Sequence, residues 1–513
     1  MKPTPGDIFA VFTPRLGAYT AVQVTALNLE GKTEQASVLA LDWVGSTLPD
    51  AEAVAAMAPA TFNFFFWKEH RDHLWVSAEV PRGYTLVGNR PPLVVEKVNS
   101  YGGWPSGHQH YSQRRWEAIP KDKRDVFKAL AAHPDNQVAL KLGERELSLS
   151  TGRLHTEEFV AAPRLSVFDA LPMVTAIDCT VPIPGLFDFL RERPFIYEAR
   201  IAKHGEPIVD LRGSNLSRLR LDVTGVREVH LNVELEELQL TGTTSPELMI
   251  HAEADGRWLT LSMERLTTDW SGLAALDGLH VSPAQELDVA AIVPRFPKLT
   301  ELRVWGAPGY LRNAGRLAGL PSLTELTLSD MFGISAEEFP GPEVLPQLGR
   351  LWLTSIPADL AASVKKAYKA MAREGLDLSV RQPRKAEWLA ENLDNPFRTW
   401  DGVENITPAQ AKKAAALYRQ ARSAALEAAS EHTGSPSDLM SALTPIVTAY
   451  TQGFNKLDAR SSFIFTEERE HIYVALMGIC DAVDERLKSE GGASAAPLDR
   501  DAITSAMDSI RDF

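Results

Sequence analysis

The chain has 513 residues, which is more than one hydrophobic core accommodates, so we expect about three domains. Apolar residues make up 44% and charged residues 23%, an ordinary globular composition that excludes wholesale disorder. The net charge of −14 repels a phosphate backbone, and no basic stripe offsets it, so we expect no nucleic-acid partner. The negative charge does not exclude a basic protein as a partner.

Features of export and of membrane insertion are missing from the sequence. Apolar runs are shorter than the roughly 18 to 20 residues of a membrane span, and residues 1–7 show no basic region followed by an apolar core. The two cysteines, Cys179 and Cys480, are too few for a disulfide framework. We therefore expect a cytoplasmic protein without membrane association.

The first 120 residues have the texture of a small β domain. Short apolar segments rich in β-branched residues are separated by turn residues, which is typical of an antiparallel sheet or barrel. The predicted strands are 8–12, 19–27, 38–43, 62–67 and 73–80. A segment rich in Gly, Pro, His and aromatic residues follows at 99–116, and we expect it to be a loop.

The amino end also resembles a known family. Pro5-Gly6-Asp7-Ile8-Phe9-Ala10-Val11, followed by Gly17-Ala18-Tyr19 and a second strand, is similar to the start of the bacterial toxin-immunity family numbered twenty-six. This resemblance implies a domain that binds and neutralises a toxin, and it carries over no residues with a defined chemistry. The whole chain also resembles actinobacterial leucine-rich-repeat proteins of the kind labelled gliding-motility proteins.

The middle of the chain repeats the pattern L-x-x-L-x-L. It begins at Leu299, Leu323 and Leu348, at intervals of 24 and 25 residues, and a weaker copy starts at Leu376. A pattern of this kind at about 20 to 29 residues is the signature of leucine-rich repeats. The alternate apolar side chains should then stack in one buried core, with Leu302, Leu326 and Leu351 in one column.

Further upstream the same pattern recurs more densely. It starts at Leu216, Val226 and Leu235, at intervals of 10 and 9 residues. Ten residues cannot hold a strand and a crossover helix, because parallel strands need a dozen or more residues between them. The sequence therefore leaves two alternatives, a solenoid with two strands per turn or a local antiparallel meander, and we favour the solenoid.

The carboxyl end has the pattern of helices. Thr407-Pro408-Ala409-Gln410 is a capping box with proline at the first helical position, and Ser435-Pro436-Ser437-Asp438 repeats the device. A third helix should start at Thr466, with apolar residues at 3- and 4-residue spacing. Three long helices with short connections predict a small antiparallel bundle.

These patterns together predict an α+β multidomain protein. It should combine an N-terminal small β domain, a central leucine-rich-repeat-like solenoid and a C-terminal α-helical bundle. The predicted ranges are 1–120 for the β domain, 121–205 for a mixed connecting region, 206–383 for the solenoid and 384–513 for the bundle.

A repeat platform of this kind binds other macromolecules, so we expect a protein partner, a toxin or effector. Every second strand residue should lie on the concave face, and Trp and Arg are enriched in binding hot spots. A tryptophan there can equally pack on a neighbouring repeat, and aromatic loops often form small cores. The candidate contact residues are Arg220, Arg303, Trp305 and Trp352 on the platform, with Trp104 and Tyr111 in the loop.

Two alternatives belong to other classes. An enzyme or metal-dependent hydrolase would use Glu69 to His73 or the pair His108 and His110, which could present two imidazoles on one side of a strand. The simpler interpretation is structural: Glu69 to His73 form a polar turn, and the loop around His108 and His110 forms a small hydrophobic core. A scaffold that self-associates through its C-terminal helices is the other alternative. Since the common nucleotide-binding, zinc-protease and nucleophile motifs are missing, we assign no catalytic residue, no metal ligand and no cofactor.

Overall fold

The computed structural model divides the chain into two compact units, Met1–Pro383 and Arg384–Phe513. The three predicted ranges up to residue 383 fall in the first unit, and the range 384–513 is the second. The residues that the structure describes are 2–29, 34–96, 98–134, 136–267, 269–431, 436–489 and 498–513.

The first unit opens with a five-stranded antiparallel sheet in the order β4-β3-β2-β1-β5. Its strands are β1 (Asp7–Thr13), β2 (Ala18–Asn28), β3 (Gln35–Gly45), β4 (His73–Ser77) and β5 (Tyr84–Asn89). Its helices are α1 (Ala51–Ala56), α2 (His108–Ala118) and α3 (Lys121–Ala132). Two expectations are wrong here: residues 62–67 form a turn region instead of a strand, and the end of the expected loop at 99–116 is helix α2.

Seventeen of the strands that the structure describes follow α3. They are β6 (Val138–Leu142), β7 (Arg145–Ser148), β8 (Arg153–Leu154), β9 (Ala176–Cys179), β10 (Glu198–Ile201), β11 (Ile208–Asp210), β12 (Arg218–Asp222), β13 (Glu228–His230), β14 (Glu237–Thr241), β15 (Met249–His251), β16 (Thr260–Met263), β17 (Ser271–Gly272), β18 (Gly278–Asp288), β19 (Glu301–Arg312), β20 (Glu325–Phe332), β21 (Arg350–Thr354) and β22 (Asp377–Arg381), where β6 and β7 form a separate hairpin. The helices among them are α4 (Thr156–Ala161), α5 (Leu186–Glu192), α6 (Val289–Arg295), α7 (Ala358–Ala367) and α8 (Lys369–Arg373).

Eleven of these strands form one parallel sheet in the order β22-β21-β20-β19-β18-β16-β14-β12-β10-β9-β8. The predicted α+β class with a leucine-rich-repeat-like solenoid at 206–383 is therefore wrong, because a large parallel sheet with helical connections is an α/β architecture. The sheet already starts at Arg153, and the distance between register-equivalent residues varies from 18 positions between Thr260 and Gly278 to 27 between Arg350 and Asp377. The leucine pattern marks the buried positions of parallel strands, and the intervals between these strands are not uniform.

The denser pattern upstream corresponds to strands that alternate between two sheets. β11, β13, β15 and β17 form a second sheet of four parallel strands, while β10, β12, β14 and β16 belong to the large one. The meander alternative is wrong because the strands of both sheets pair in parallel. Apolar residues of the two sheets, such as Leu219 and Val229, share one buried core.

The leucines of the longer interval lie in one register. Leu302 pairs with Leu326, and Leu326 pairs with Leu351. All three side chains are fully buried in the core of the large sheet. The spacing in the sequence therefore located these strands and their register correctly.

The second unit is helical. Its helices are α9 (Ala386–Asn392), α10 (Pro408–Glu431), α11 (Pro436–Asp458), α12 (Thr466–Ser489) and α13 (Arg500–Asp508). Thr407 and Gln410 cap α10 reciprocally, since each backbone N–H donates to the other side chain, at 2.7 and 3.3 Å. The second predicted capping box begins at Ser435, outside the described residues. Across the described ranges, none of the helices is both long enough and apolar enough to cross a bilayer.

Candidate protein-binding surface

The polar face of the large sheet consists of strand residues that alternate with the buried leucines. One row of register-equivalent positions crosses ten strands of this face. It contains Asp178, Arg200, Arg220, Gln239, Ser262, His280, Arg303, Thr327, Trp352 and Ser379. Since the alternation of a strand fixes the direction of each side chain, the core below holds this row in place.

Arg303 lies inside an ion-pair network on this face. Its guanidinium contacts Glu301 and lies 3.2 Å from Glu325 Oε2, while Arg350 Nη1 donates to the same Glu325 oxygen at 2.7 Å. Burial acts to raise the pKa of Glu301, but the hydrogen bond from His280 and the nearby arginines outweigh it, so this pKa lies below its ordinary value. Arg303 is therefore half-buried, and its guanidinium is already paired with two carboxylates. A partner protein would have to compete with these ion pairs to bind it.

Trp352 is the exposed aromatic residue of the same region. Its relative exposure is 41%, and the Arg350 guanidinium lies 4.9 Å from its ring centroid. Trp305 is half-buried, and the His280 ring meets it edge-on at 5.7 Å. The register places Trp305 level with Thr354, so the two tryptophans share a face but not a row. Trp352 offers the larger free surface.

Arg220 lies on the same row, towards the other end of the sheet. Its side chain is exposed, and in the described part of the chain it makes no hydrogen bond or ion pair. A depression of about 270 Å³ surrounds it, lined in part by Arg200, Arg218 and Gln239. Arg200 and Arg218 are paired with Glu198 and Glu237. Arg220 is therefore the arginine of this depression that is free for a ligand.

A second concave site, the aromatic cleft, adjoins the depression. It has a volume of about 320 Å³ and lies between the turn at 64–67, helix α2 and the residues that precede β12 and β14. Phe66 is 52% exposed, and Arg115 and Glu236 also line the cleft. Arg218 lines both the aromatic cleft and the depression, so the two adjoin at this side chain. This cleft is not predictable from the sequence, because the apolar pattern of residues 62–67 predicts a strand.

Trp104 and Tyr111 are not surface contacts, which corrects their assignment as partner-binding residues. Trp104 is 9% exposed, donates from Nε1 to Ser77 O at 2.9 Å and packs against Phe9. Tyr111 is 1% exposed beneath the guanidinium of Arg15, and burial raises the pKa of its phenol to about 12. Both rings lie in the interior, where their apolar area is removed from water.

The acid–base residues of the N-terminal sheet take separate structural roles. His73 Nε2 lies 2.8 Å from both Thr25 Oγ1 and Ser37 Oγ, and burial lowers the pKa of His73. The His110 ring packs edge-on against Phe62, and burial lowers its pKa as well. His108 and His110 lie on helix α2, so the expected arrangement on one side of a strand is wrong.

In the described residues, one group of three possible metal ligands comes together, and it lies on the four-stranded sheet. Its members are Glu228, His230 and His251. The alternation in the sequence predicts Glu228 and His230 as polar positions on the concave face of the platform, whereas the structure places them on the separate four-stranded sheet. No family model matches the chain, and no curated protein matches it.

Proposed function

We propose that the chain is a cytoplasmic protein-binding module whose contact surface is the polar face of the large sheet, with Trp352 and Arg220 as anchors. The observation that carries this proposal is the exposed Trp352 ring beneath Arg350, on a strand whose alternate leucines are fully buried. An aromatic ring on a rigid strand loses little conformational entropy on binding, and such rings with arginines dominate interface energetics.

A toxin or effector protein is the partner class that we propose. The resemblance of residues 5–11 to the toxin-immunity family supports it, and residues 7–11 form most of β1 of the antiparallel sheet. The net charge of −14 favours a partner with basic groups, since opposite charges accelerate association. Arg220 would then serve an acidic or carbonyl group within an otherwise basic partner surface.

The test uses wild-type and variant chains as parallel baits in extract from the native cytoplasm, followed by mass spectrometry and by affinity measurement with the purified partner. Trp352→Ala and Arg220→Ala together should weaken binding at least about thirtyfold, or about 2 kcal/mol. Thermal melting is measured alongside, because a tryptophan that holds the fold would lower both quantities.

Phe66→Ala is the matched control, because Phe66 is a comparably exposed aromatic residue in the aromatic cleft. It should leave the affinity unchanged if the polar face is the contact. A folded Trp352/Arg220 variant with wild-type affinity contradicts the proposal, and loss of binding in Phe66→Ala alone moves the contact to the aromatic cleft.

A further inference from the structure

The outer face of the four-stranded sheet carries two imidazoles and a carboxylate around one point. Glu228 Oε1 lies 2.9 Å from His230 Nε2 and 3.2 Å from His251 Nε2. The two imidazole rings are stacked with centroids 4.6 Å apart and planes 6° from parallel. One ligand atom from each residue lies within 4.8 Å of the others. Three donor atoms therefore converge, although their residues are up to 23 positions apart in the sequence.

The sheet fixes this arrangement. His230 on β13 pairs directly with His251 on β15, and Glu228 lies two residues before His230 on the same face. The alternate residues Val229 and Ile250 are fully buried in the core below. Since the strand pairing sets the backbone positions, binding an ion requires the two stacked rings to rotate about their side-chain bonds but leaves the strands in place.

The donor set suits a transition-metal ion. Two imidazole nitrogens and one carboxylate oxygen are ligands that zinc and its neighbours accept, and three protein ligands leave a position open for water or a fourth group. Hard ions such as calcium prefer six or more oxygen ligands, which this site does not offer. Asp210 stands level with His230 on the next strand, but Arg212 holds both of its carboxylate oxygens, at 2.9 and 2.7 Å.

We propose that Glu228, His230 and His251 form a binding site for one divalent transition-metal ion of the zinc class. The ion lies between the Nε2 atoms of the two imidazoles and Glu228 Oε1, which already face one another. It joins β13 to β15 through side chains and keeps at least one coordination position open to solvent, because His251 is exposed.

The test is calorimetric titration of the metal-free full chain with Zn²⁺, repeated with Co²⁺ to record its visible absorption. One equivalent should bind, and the cobalt spectrum should show imidazole coordination. His251→Ala should weaken zinc binding at least about tenfold, since loss of a direct ligand costs no less than loss of its supporting contacts. Glu228→Gln should act in the same direction while it keeps the side-chain shape.

His280→Ala is the matched control. His280 also lies on a sheet face and places Nε2 2.9 Å from Glu301 Oε1, but none of the described histidines pairs with it as His251 pairs with His230. This variant should bind zinc like the wild type, and melting without metal verifies that each variant is folded. The proposal is overturned if zinc does not bind stoichiometrically, or if folded His251→Ala binds zinc as tightly as the wild type. Glu228, His230 and His251 would then only contact one another as polar side chains.

Discussion

Arg115 of α2 donates from Nη1 to Glu236 Oε1 at 3.1 Å, and Glu236 immediately precedes strand β14 of the large sheet. The Arg115 Nη2 group also donates to the backbone oxygen of Asn215, at 3.1 Å, ahead of β12. Helix α2 is thus fixed at the end of the sheet where the parallel strands begin. The largely buried Arg115 guanidinium lines the aromatic cleft between them.

Replacing Arg115 by Ala should destabilise the first unit by about 1.5 to 3 kcal/mol, the range for hydrogen bonds to charged groups. The loss also leaves Glu234 and Glu236 without this cation. Urea unfolding measures the effect. Arg114→Ala is the control, because Arg114 is exposed and lies 3.7 Å from Glu234, where a surface ion pair contributes at most about 1 kcal/mol. Equal effects of the two changes would contradict this account.

Leu326→Ala should lower the free energy of unfolding by about 2 to 5 kcal/mol, the usual cost of a cavity in a packed core. Leu326 is fully buried between Leu302 and Leu351 in register. Leu378 continues the same row on the edge strand β22 but is only half-buried, so Leu378→Ala should cost clearly less. Chemical denaturation of both variants would show whether the cost follows burial along the row, and a loss below about 0.5 kcal/mol at Leu326 would contradict the register.

The sequence could predict this register because leucines at fixed spacing must share a face in any stacked parallel strands. The same spacing could not give the class of the sheet. Its first strands, β8 to β10, bury Leu154, Ile177 and Ala199 without the leucine pattern, so the sequence predicts only a connecting region at 121–205. Tertiary packing determines which distant strands pair, and a local sequence pattern carries no information about that packing.

The candidate site was predicted in part, for a related reason. Alternation along a strand correctly gave the facing of Trp352 and Arg220. It could not show that Arg303 is held by two carboxylates, since these come from its own strand and from β20. Nor could it bring His251 beside His230, because the pairing of β13 with β15 is a tertiary property.

Acidification should destabilise the first unit below pH 6.5 through His73 and His110. Burial lowers the pKa of both from the ordinary value of 6.5. Below pH 6.5 the unfolded chain therefore binds more protons at these two histidines than the folded chain does. Stability then rises with pH through this window and is lost as the pH falls. Urea midpoints at pH 7.5 and 5.5 should differ less in His73→Gln than in the wild type, and least in the double variant with His110→Gln. An unchanged difference in the double variant would assign the acid sensitivity to other groups.

The C-terminal unit should fold by itself when it is produced as residues 384–513. Its helices bury a core of their own, which includes Phe397, Trp400, Phe454 and Met507. Arg384 forms an ion pair with Asp401 within the same unit. A separate core and satisfied helix ends are what an autonomous helical unit needs, and we expect a helical circular-dichroism spectrum with a cooperative melt.

A shorter fragment, residues 401–490, provides the comparison, because it keeps the three long helices and removes Phe397, Trp400 and α13. It should lose the cooperative melt even where helical signal remains, since helix propensity without a packed face gives little stability. In the longer fragment, Trp400→Ala should cost about 3 to 5 kcal/mol, because the ring is fully buried against Phe454 and Phe463. A longer fragment without cooperative melting would mean that the helices depend on the rest of the chain, and equal melting of both fragments would mean that Trp400 and α13 contribute nothing to this core.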